Sequence, residues 1–575
     1  MLKLFKYLKP YWLMVVGVLI LVFLQTLADL YLPTLSGDII NKGVMQGDIP
    51  KIYEIGGLML MISGAGVICA VISSLLSSKA ATALGTDLRR MVFSRVESFS
   101  LHEFDKIGTA TLITRTTNDI TQIQMVTVMI MRMMVSAPMM IIGAFILALN
   151  KDVPLTTVFY VAVPVLAVVI LLIARMIIPL FGQVQIKIDR INLVLREKLT
   201  GIRVIRAFNT GERETAKFQE ANDDLTDNYI KINRIMAYVL PSVMFIMNIT
   251  SLAVLWFGIL RINNSEMDMG TLLSFTQYVF QIMFSIVMLT MMFIMVPRAQ
   301  AAAVRINEVL NTAPGVVDKD EVQSCFIGRG NIEFKNVTFS YAGAQEPALK
   351  NISFEVKAGE MTAIIGSTGA GKSTLVNLIP RFYDIDSGEI LVDSVNISEI
   401  SQECLREKIG FVPQKATLFS GTISHNIKFG KEDATDEEVR AAAEIAQATE
   451  FINEMEGQFE HEIAQGGINV SGGQKQRLSI ARALVRRPEI YVFDDSFSAL
   501  DFKTDSKLRA ALKKEIKDST VIIVAQRVGT VMDADRIIVL DEGKVAGIGK
   551  HSDLMQTCEI YREIVSSQLS EEEIS

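Results

Sequence analysis

The residues best placed for chemistry are Gly366, Ser367, Thr368, Gly369, Ala370, Gly371, Lys372 and Ser373, in the order G-x-x-x-x-G-K-S. Glycines at these positions let backbone N–H groups close around phosphate oxygens, and a helix starting at the loop's end adds positive potential there. The lysine can reach a β- or γ-phosphate, and the serine hydroxyl can ligate Mg²⁺. The flanking sequence supplies the right context: Met361 to Ile365 reads as a buried strand, and Thr374 to Ile379 reads as a helix. A phosphate loop by itself implies only a nucleoside-triphosphate site.

Further motifs follow in a fixed order. Gln414 ends Phe411-Val-Pro-Gln, and Tyr341 ends Phe339-Ser-Tyr upstream of the loop. Ser471, Gly472, Gly473 and Gln474 precede an apolar helical pattern, which makes a second anion-binding helix N-terminus. Ile490-Tyr-Val-Phe-Asp494 reads as a hydrophobic strand ending in an aspartate suited to Mg²⁺, and Asp501 follows in Ser498-Ala-Leu-Asp. This ordered set resembles the nucleotide-binding domain of ABC transporters. The resemblance implies an adenine-stacking role for Tyr341, ATP and Mg²⁺ as cofactors, and Ser373, Gln414 and Asp494 around the metal. It also implies that Ser471, Gly472, Gly473 and Gln474 address the ATP of a partner domain, while Asp501 orders the dimer interface.

Three positions depart from that pattern. Asp495 occupies the place of a glutamate that polarises the attacking water, and Gln526, in Gln526-Arg527, occupies that of a switch histidine. Before the signature, Ala464-Gln-Gly-Gly467 replaces the usual Gly-Glu-Arg-Gly. An aspartate is one methylene short, so its carboxylate misses the water by roughly 1 Å, a displacement that can cost about 10²-fold in rate. Glutamine can hydrogen-bond but cannot carry charge or shuttle a proton as histidine can. A site built on these Walker residues is expected to bind MgATP well and hydrolyse it poorly.

The elements before this domain are of another kind. Of 575 residues, 50% are hydrophobic, and these concentrate before about residue 300. Apolar runs at about 12–32, 56–78, 125–149, 155–180, 236–260 and 272–296 are each long enough for a spanning helix of roughly 17–25 residues. Residues 1–10 carry Lys3, Lys6 and Lys9 among apolar residues; a signal peptide is the rival, but the run that follows lacks a small-residue cleavage site. An interfacial helix leading into a retained span is the preferred reading. The long connections 79–124 and 181–235 are helical in pattern and rich in Lys and Arg, which by the positive-inside rule puts them, both termini and the ATPase in the cytosol of a cell membrane. Some 20 residues of extra helix would extend such a hairpin by about 30 Å. The text around Phe104-Asp105 and Arg115 to Asp119 looks like the first coupling region of ABC exporters.

The expected fold is therefore an all-α, six-helix transmembrane domain (1–320) with long helical extensions, followed by an α/β P-loop ATPase domain (321–575). A formal charge of −7 and a pI near 5.5 argue against a nucleic-acid partner. Cys69, Cys325, Cys404 and Cys558 have no metal-ligand spacing, and neither zinc nor a disulfide is expected from it. His102, His425, His461 and His551 lack partners at metal or triad spacing.

One phosphate loop and one signature make half of a two-site assembly. Over nearly its whole length the chain resembles the degenerate-site subunit of heterodimeric bacterial multidrug ABC exporters. That resemblance implies a second half-transporter with Glu and His at the matching positions and a damaged signature, and amphipathic small molecules as cargo. A lipid or peptide exporter of the same architecture, or an ATP-gated regulator that transports nothing, stays open. For the substrate cavity, Asp29, Met291 and Met295 are the candidates, because intramembrane acids are costly and methionines adapt to varied apolar ligands. The methionines serve plain helix packing or lipid contact equally well.

Overall fold

The computed structural model describes residues 1–319 and 328–568. The chain folds as two compact units, Met1–Glu97 with Ala110–Asn311, and Ser98–Thr109 with the chain from Thr312 onward. The sequence boundary between 320 and 321 falls outside the described residues.

The first unit holds six helices long and apolar enough to cross a membrane. Its main helices are α1 (Trp12–Asp38), α2 (Ile49–Glu97), α3 (Ile120–Lys151), α4 (Val153–Thr200), α5 (Gly211–Asn263) and α6 (Met269–Asn311). All six outrun the apolar stretches that announce them, since hydropathy marks only the part lipid can cover. Residues 1–10 are not one amphipathic helix: a single α-turn (Leu2–Phe5) gives way to a 3₁₀ segment, Lys6–Tyr11, containing Pro10. A proline has no N–H to give an α-helical ladder, so the regular helix starts only after it, at Trp12.

Small residues let helices meet backbone to backbone. A Cβ on Gly270 of α6 would lie 2.0 Å from the carbonyl oxygen of Gly37 on α1, and one on Gly37 would lie 2.4 Å from that of Gly270. The Asn41 Oδ1 caps this contact, accepting from the Gly270 N–H at 2.7 Å. Phe159, Phe275 and Tyr278 fill the adjoining core, the two phenylalanines stacked with centroids 5.8 Å apart. Asp152 starts α4 by accepting from the Leu155 N–H at 2.8 Å and also pairs with Arg261 at 3.1 Å. At the other end, Arg305 of α6 grips the buried Asp119 with two bonds of 2.7 and 2.5 Å, while Arg115 donates to the Arg305 carbonyl and pairs with Glu308.

The second unit is an α/β domain. Strands β1 (Ile332–Phe339), β2 (Leu349–Val356), β4 (Ser387–Val392) and β5 (Val395–Asn396) form an antiparallel sheet in the order β2-β1-β4-β5. The other sheet has the order β10-β9-β3-β8-β7-β6, with β3 (Met361–Gly366), β6 (Ile409–Val412), β7 (Ile490–Asp494), β8 (Thr520–Val524), β9 (Arg536–Asp541) and β10 (Lys544–Gly549). Its strands from β9 to β6 are parallel, with β3 and β7 on either side of β8. Parallel strands covered on both faces read as unbroken apolar runs, which is how β7 and β8 look. The carboxyl ends of β3, β7 and β8 consequently lie side by side, which is where open α/β sheets collect their ligand-binding residues.

Residues 98–109 belong to this unit, not to that of the helices on either side. Their short helix, Leu101–Ile107, is closed by a capping box between Ser100 and Glu103, and the Glu103 carboxylate also accepts from the Gly315 backbone. Cys404 is buried and disulfide-bonded, a pairing that sequence spacing did not indicate.

Candidate functional site

The phosphate loop is a strand end, a turn and a helix start. Gly366 closes β3 where a Cβ would fall 2.2 Å from the Leu540 carbonyl oxygen, so the neighbouring strand admits only glycine. Gly371 caps helix α7 (Lys372–Leu378) with φ +95°, in the left-handed region that glycine enters without a steric cost. Lys372, 8% exposed, donates from Nζ to the carbonyls of Gly366 (2.8 Å) and Ser367 (2.7 Å). The lysine is thus folded across the loop, with burial holding its pKa below the ordinary value. Ser373 donates to Asp494 Oδ1 at 2.9 Å, so the two groups expected to share Mg²⁺ already face each other. Tyr341 and Thr374 share a hydroxyl bond of 3.0 Å, and the Tyr341 ring packs edge-on against Phe339 and Tyr383.

Asp494 and Asp495 leave β7 as neighbours, 4% and 7% exposed. Burial pushes both carboxyls above the usual aspartate range, and the Ser373 and Gln414 hydrogen bonds respectively oppose that shift. Asp495 has φ +47°, and its N–H is tied to the Val524 carbonyl at 3.0 Å. One oxygen of its side chain, Oδ2, accepts from two amides: Gln526 Nε2 at 2.9 Å and Gln414 Nε2 at 3.2 Å. Asp495, Gln526 and Gln414 therefore form one closed cluster. Gln414 is further held through its carbonyl, which accepts from Gln476 at 2.9 Å.

A cavity of about 360 Å³ gathers Tyr341, Thr368, Gly369, Gly371, Lys372, Ser373, Thr374, Gln414, Asp495 and Gln526. The donor set fits MgATP: a backbone nest and an ammonium for phosphates, Ser373 with Asp494 for a hard cation, and an aromatic ring for a base. Ser367 and Ala370 complete the loop, joined by a hydrogen bond from the Ala370 N–H to the Ser367 carbonyl at 3.2 Å.

The signature residues lie apart from this cavity's lining. Ser471 caps helix α8 (Gly472–Leu484) with a capping box to Gln474, and Ser471 and Gly472 are exposed. Nothing approaches within 4 Å of where a Gly472 Cβ would stand, while at Gly473 the Ala499 carbonyl oxygen is 3.2 Å away. This is an exposed helix N-terminus, with the first-turn N–H groups that a helix leaves without intrahelical partners. Asp501 caps the helix Phe502–Glu515 through Thr504 (3.0 Å).

In the first unit, Asp29 is half-buried on α1, and its carbonyl accepts from Gln281 Nε2 of α6 at 2.7 Å. Met295 is 40% exposed; the Met291 side chain lies outside the described residues. Asp29 is thus level with Gln281, whereas Met295 stands about 21 Å farther along α6 by the rise of an α-helix, so the two do not share one small site. Sequence reasoning missed Tyr383, whose ring meets Tyr341, and it gave His102 no site. A second cavity of about 480 Å³ is lined by His102, Asp105, Lys106, Tyr341, Gly343 and Tyr383. Only the likeness around Phe104-Asp105 hinted at that placement.

Comparison with known proteins agrees with this architecture. Residues 15–287 match the family model of the ABC transporter transmembrane region, and residues 349–498 match that of the ABC transporter. An uncharacterized ABC transporter ATP-binding protein of Mycobacterium tuberculosis is 41% identical over 98% of this chain and 97% of its own length. A Bacillus subtilis protein of the same description is 36% identical over 99% of both. An ATP-dependent lipid A-core flippase of Syntrophus aciditrophicus is 30% identical over 90% of this chain and 85% of its own. Among solved structures, a bacterial Atm1-family ABC exporter with ATP bound superposes with a TM-score of 0.80 at 25% identity, covering 97% of this chain and 98% of that one. The chain belongs to the ABC transporters, with a membrane domain and an ATPase domain fused in one polypeptide, and is homologous to the ABC exporter half-transporters.

Proposed function

We propose that this chain is one subunit of a heterodimeric, ATP-driven exporter of amphipathic or hydrophobic compounds, in which the two ATP sites are unequal. Its own Walker residues bind MgATP and turn it over slowly. Ser471, Gly472, Gly473 and Gln474 complete the other site, whose Walker residues belong to a second half-transporter with Glu and His at the matching positions and a damaged signature. The ATPase domain faces the cytosol, as the basic connections at 79–124 and 181–235 suggest.

The observation that carries this reading is the engagement of Asp495 Oδ2 by both Gln526 and Gln414. A general base must be within hydrogen-bond reach of the water it orients, in a position set by the groups that hold it. Here the carboxylate is short by one methylene and holds two amides, neither of which can take the proton onward. Lys372, Ser373 and Asp494, the groups for binding, remain intact. ATP binding would close the site on a partner's signature, hydrolysis at the partner's Walker site would reset it, and residues 98–109 would carry the movement to the membrane helices.

The assignment of cargo rests on the family likeness to multidrug exporters. Lipid export is the second reading, favoured by the relation to a lipid A-core flippase. Affinity purification of the tagged chain from its native membrane tests the pairing. A second half-transporter carrying Glu and His is the expected co-purifying protein, and recovery of this chain alone as a self-paired dimer contradicts it. Uptake of a fluorescent amphipathic cation into inverted vesicles, lost when the partner's glutamate is changed, separates a pump from an ATP-gated regulator. Flip of a labelled lipid in the absence of cation uptake favours the second reading.

A further inference from the structure

We propose that the N-terminal segment and α2 build a binding site for the headgroup of an anionic phospholipid, held on the side of the first unit. A cavity of about 500 Å³ is lined by Lys6, Tyr7, Lys9, Pro10, Asp87, Arg90 and Met91. That volume is in the range of small-ligand sites. Its walls combine the aromatic ring of Tyr7, the Pro10 ring and the thioether of Met91 with three cations.

The charge balance is what points to an anion. Lys6, Lys9 and Arg90 are exposed, and among the described residues no carboxylate lies within 4.0 Å of any of them. Asp87 is the acid in the wall, and it accepts a hydrogen bond from the Tyr11 hydroxyl at 2.8 Å. The Lys6 ammonium sits over the Tyr7 ring, 4.8 Å from its centroid. An arginine with a fork of donors beside two lysines suits a phosphate, which accepts several charge-assisted bonds at once.

The level of the site in the bundle points to lipid. Trp12 and Leu13, the next residues of the chain, are 58% and 68% exposed and begin the apolar stretch, so the cavity lies where that stretch ends. Leu4, by contrast, is fully buried and pins the segment against the unit. In the 3₁₀ segment Lys6–Tyr11, which contains Pro10, Lys6 and Lys9 are three residues apart and so stand on one face, the face that lines the cavity with Arg90. A phosphate held here would leave its acyl chains free to run along the exposed apolar face of α1. Basic pockets of this kind between membrane helices take anionic headgroups.

The test uses the full chain in nanodiscs of phosphatidylcholine containing phosphatidylglycerol, with lipid retention after detergent extraction read by native mass spectrometry. The triple variant Lys6→Gln, Lys9→Gln, Arg90→Gln is compared with a charge-matched control, Lys42→Gln, Lys51→Gln, Lys217→Gln. Wild type and control are expected to retain one phosphatidylglycerol per chain that the triple variant loses. Each cation removed should weaken retention roughly fivefold, and all three on the order of 10²-fold. Equal retention by the triple variant overturns the proposal, as does equal retention of phosphatidylcholine by wild type. Displacement by millimolar inorganic phosphate overturns it in favour of a free-phosphate site. Should the triple variant fail to fold, single Lys9→Gln and Arg90→Gln variants give the same readout: a fivefold loss in each supports the site, and no loss in either overturns it.

Discussion

The ATPase unit presents two phosphate-facing surfaces that differ in their state of completion. On the Walker face, the charged groups and their partners have turned inward: Lys372 bonds its own loop, Ser373 bonds Asp494, and Asp495 is held by Gln414 and Gln526. On the signature face, Ser471 does no more than cap α8, and Gly472 meets open space. Both faces are helix N-termini, so both attract phosphate. The difference is that Asp495, Gln414 and Gln526 hold one another on the first, while Ser471 and Gly472 stand exposed on the second. A subunit with those two faces is suited to lending one surface to a partner and using the other mainly to hold nucleotide.

The sharpest way to break this comparison is to damage the good face. In the transporter assembled with its partner, Gly472→Arg should lower steady-state ATP hydrolysis on the order of 10²- to 10³-fold, the range for loss of oriented donors at a developing charge. ATP binding by this chain, followed by photo-labelling, should stay. If hydrolysis is unaffected, the signature is not serving a competent site. On the opposite face, Lys372→Ala removes a charged donor to phosphate, and affinity for ATP measured by fluorescence titration should fall roughly 10- to 100-fold. Tyr341→Ala should weaken adenine nucleotides about tenfold, the order expected for loss of one stacking platform. A full loss of stability in that variant would instead assign Tyr341 to the core with Phe339 and Tyr383.

A smaller effect follows from the acid pair. Burial raises the carboxyls of Asp494 and Asp495, so the folded state holds protons that the unfolded state has already released at the same pH. Stability from these groups is therefore fully present below the ordinary aspartate pKa and declines as pH rises through the raised values. Nucleotide-free protein should consequently gain thermal stability from Asp494→Asn near neutral pH, by about 2–4 °C if the gain is about 1 kcal/mol. Mg²⁺ should narrow the gap, since it supplies the wild type with the missing positive charge. A lower melting temperature for the variant in calorimetry would mean that the bond from Ser373 outweighs the burial of charge.

Much of this was legible in the sequence because it is local. The glycines at 366, 369 and 371 mark a turn whose conformation few other residues tolerate, and the apolar runs of β7 and β8 mark parallel strands. The apolar stretches announced all six membrane helices, although hydropathy is blind to the polar continuations of α2, α4 and α5. What escaped was long-range or geometric. Nothing in Gln526 alone says that it donates to Asp495, 31 positions away. The assignment of residues 98–109 to the ATPase unit depends on contacts such as that of Glu103 with Gly315. The 3₁₀ form of Lys6–Tyr11 turns on one proline, and the pairing of Cys404 had no spacing signal to reveal it.

The central claim is that the chain's own Walker site holds ATP without hydrolysing it efficiently, because Asp495 and Gln526 replace a base and its switch. The direct measurement is the MgATPase rate of the purified chain beside the same chain carrying Asp495→Glu and Gln526→His, with ATP binding measured on both. The account predicts equal binding, a near-silent wild type and a double variant faster by about 10²-fold. A brisk wild-type rate, unchanged by the two substitutions, would contradict it and make a self-paired pump with two equal sites the better description.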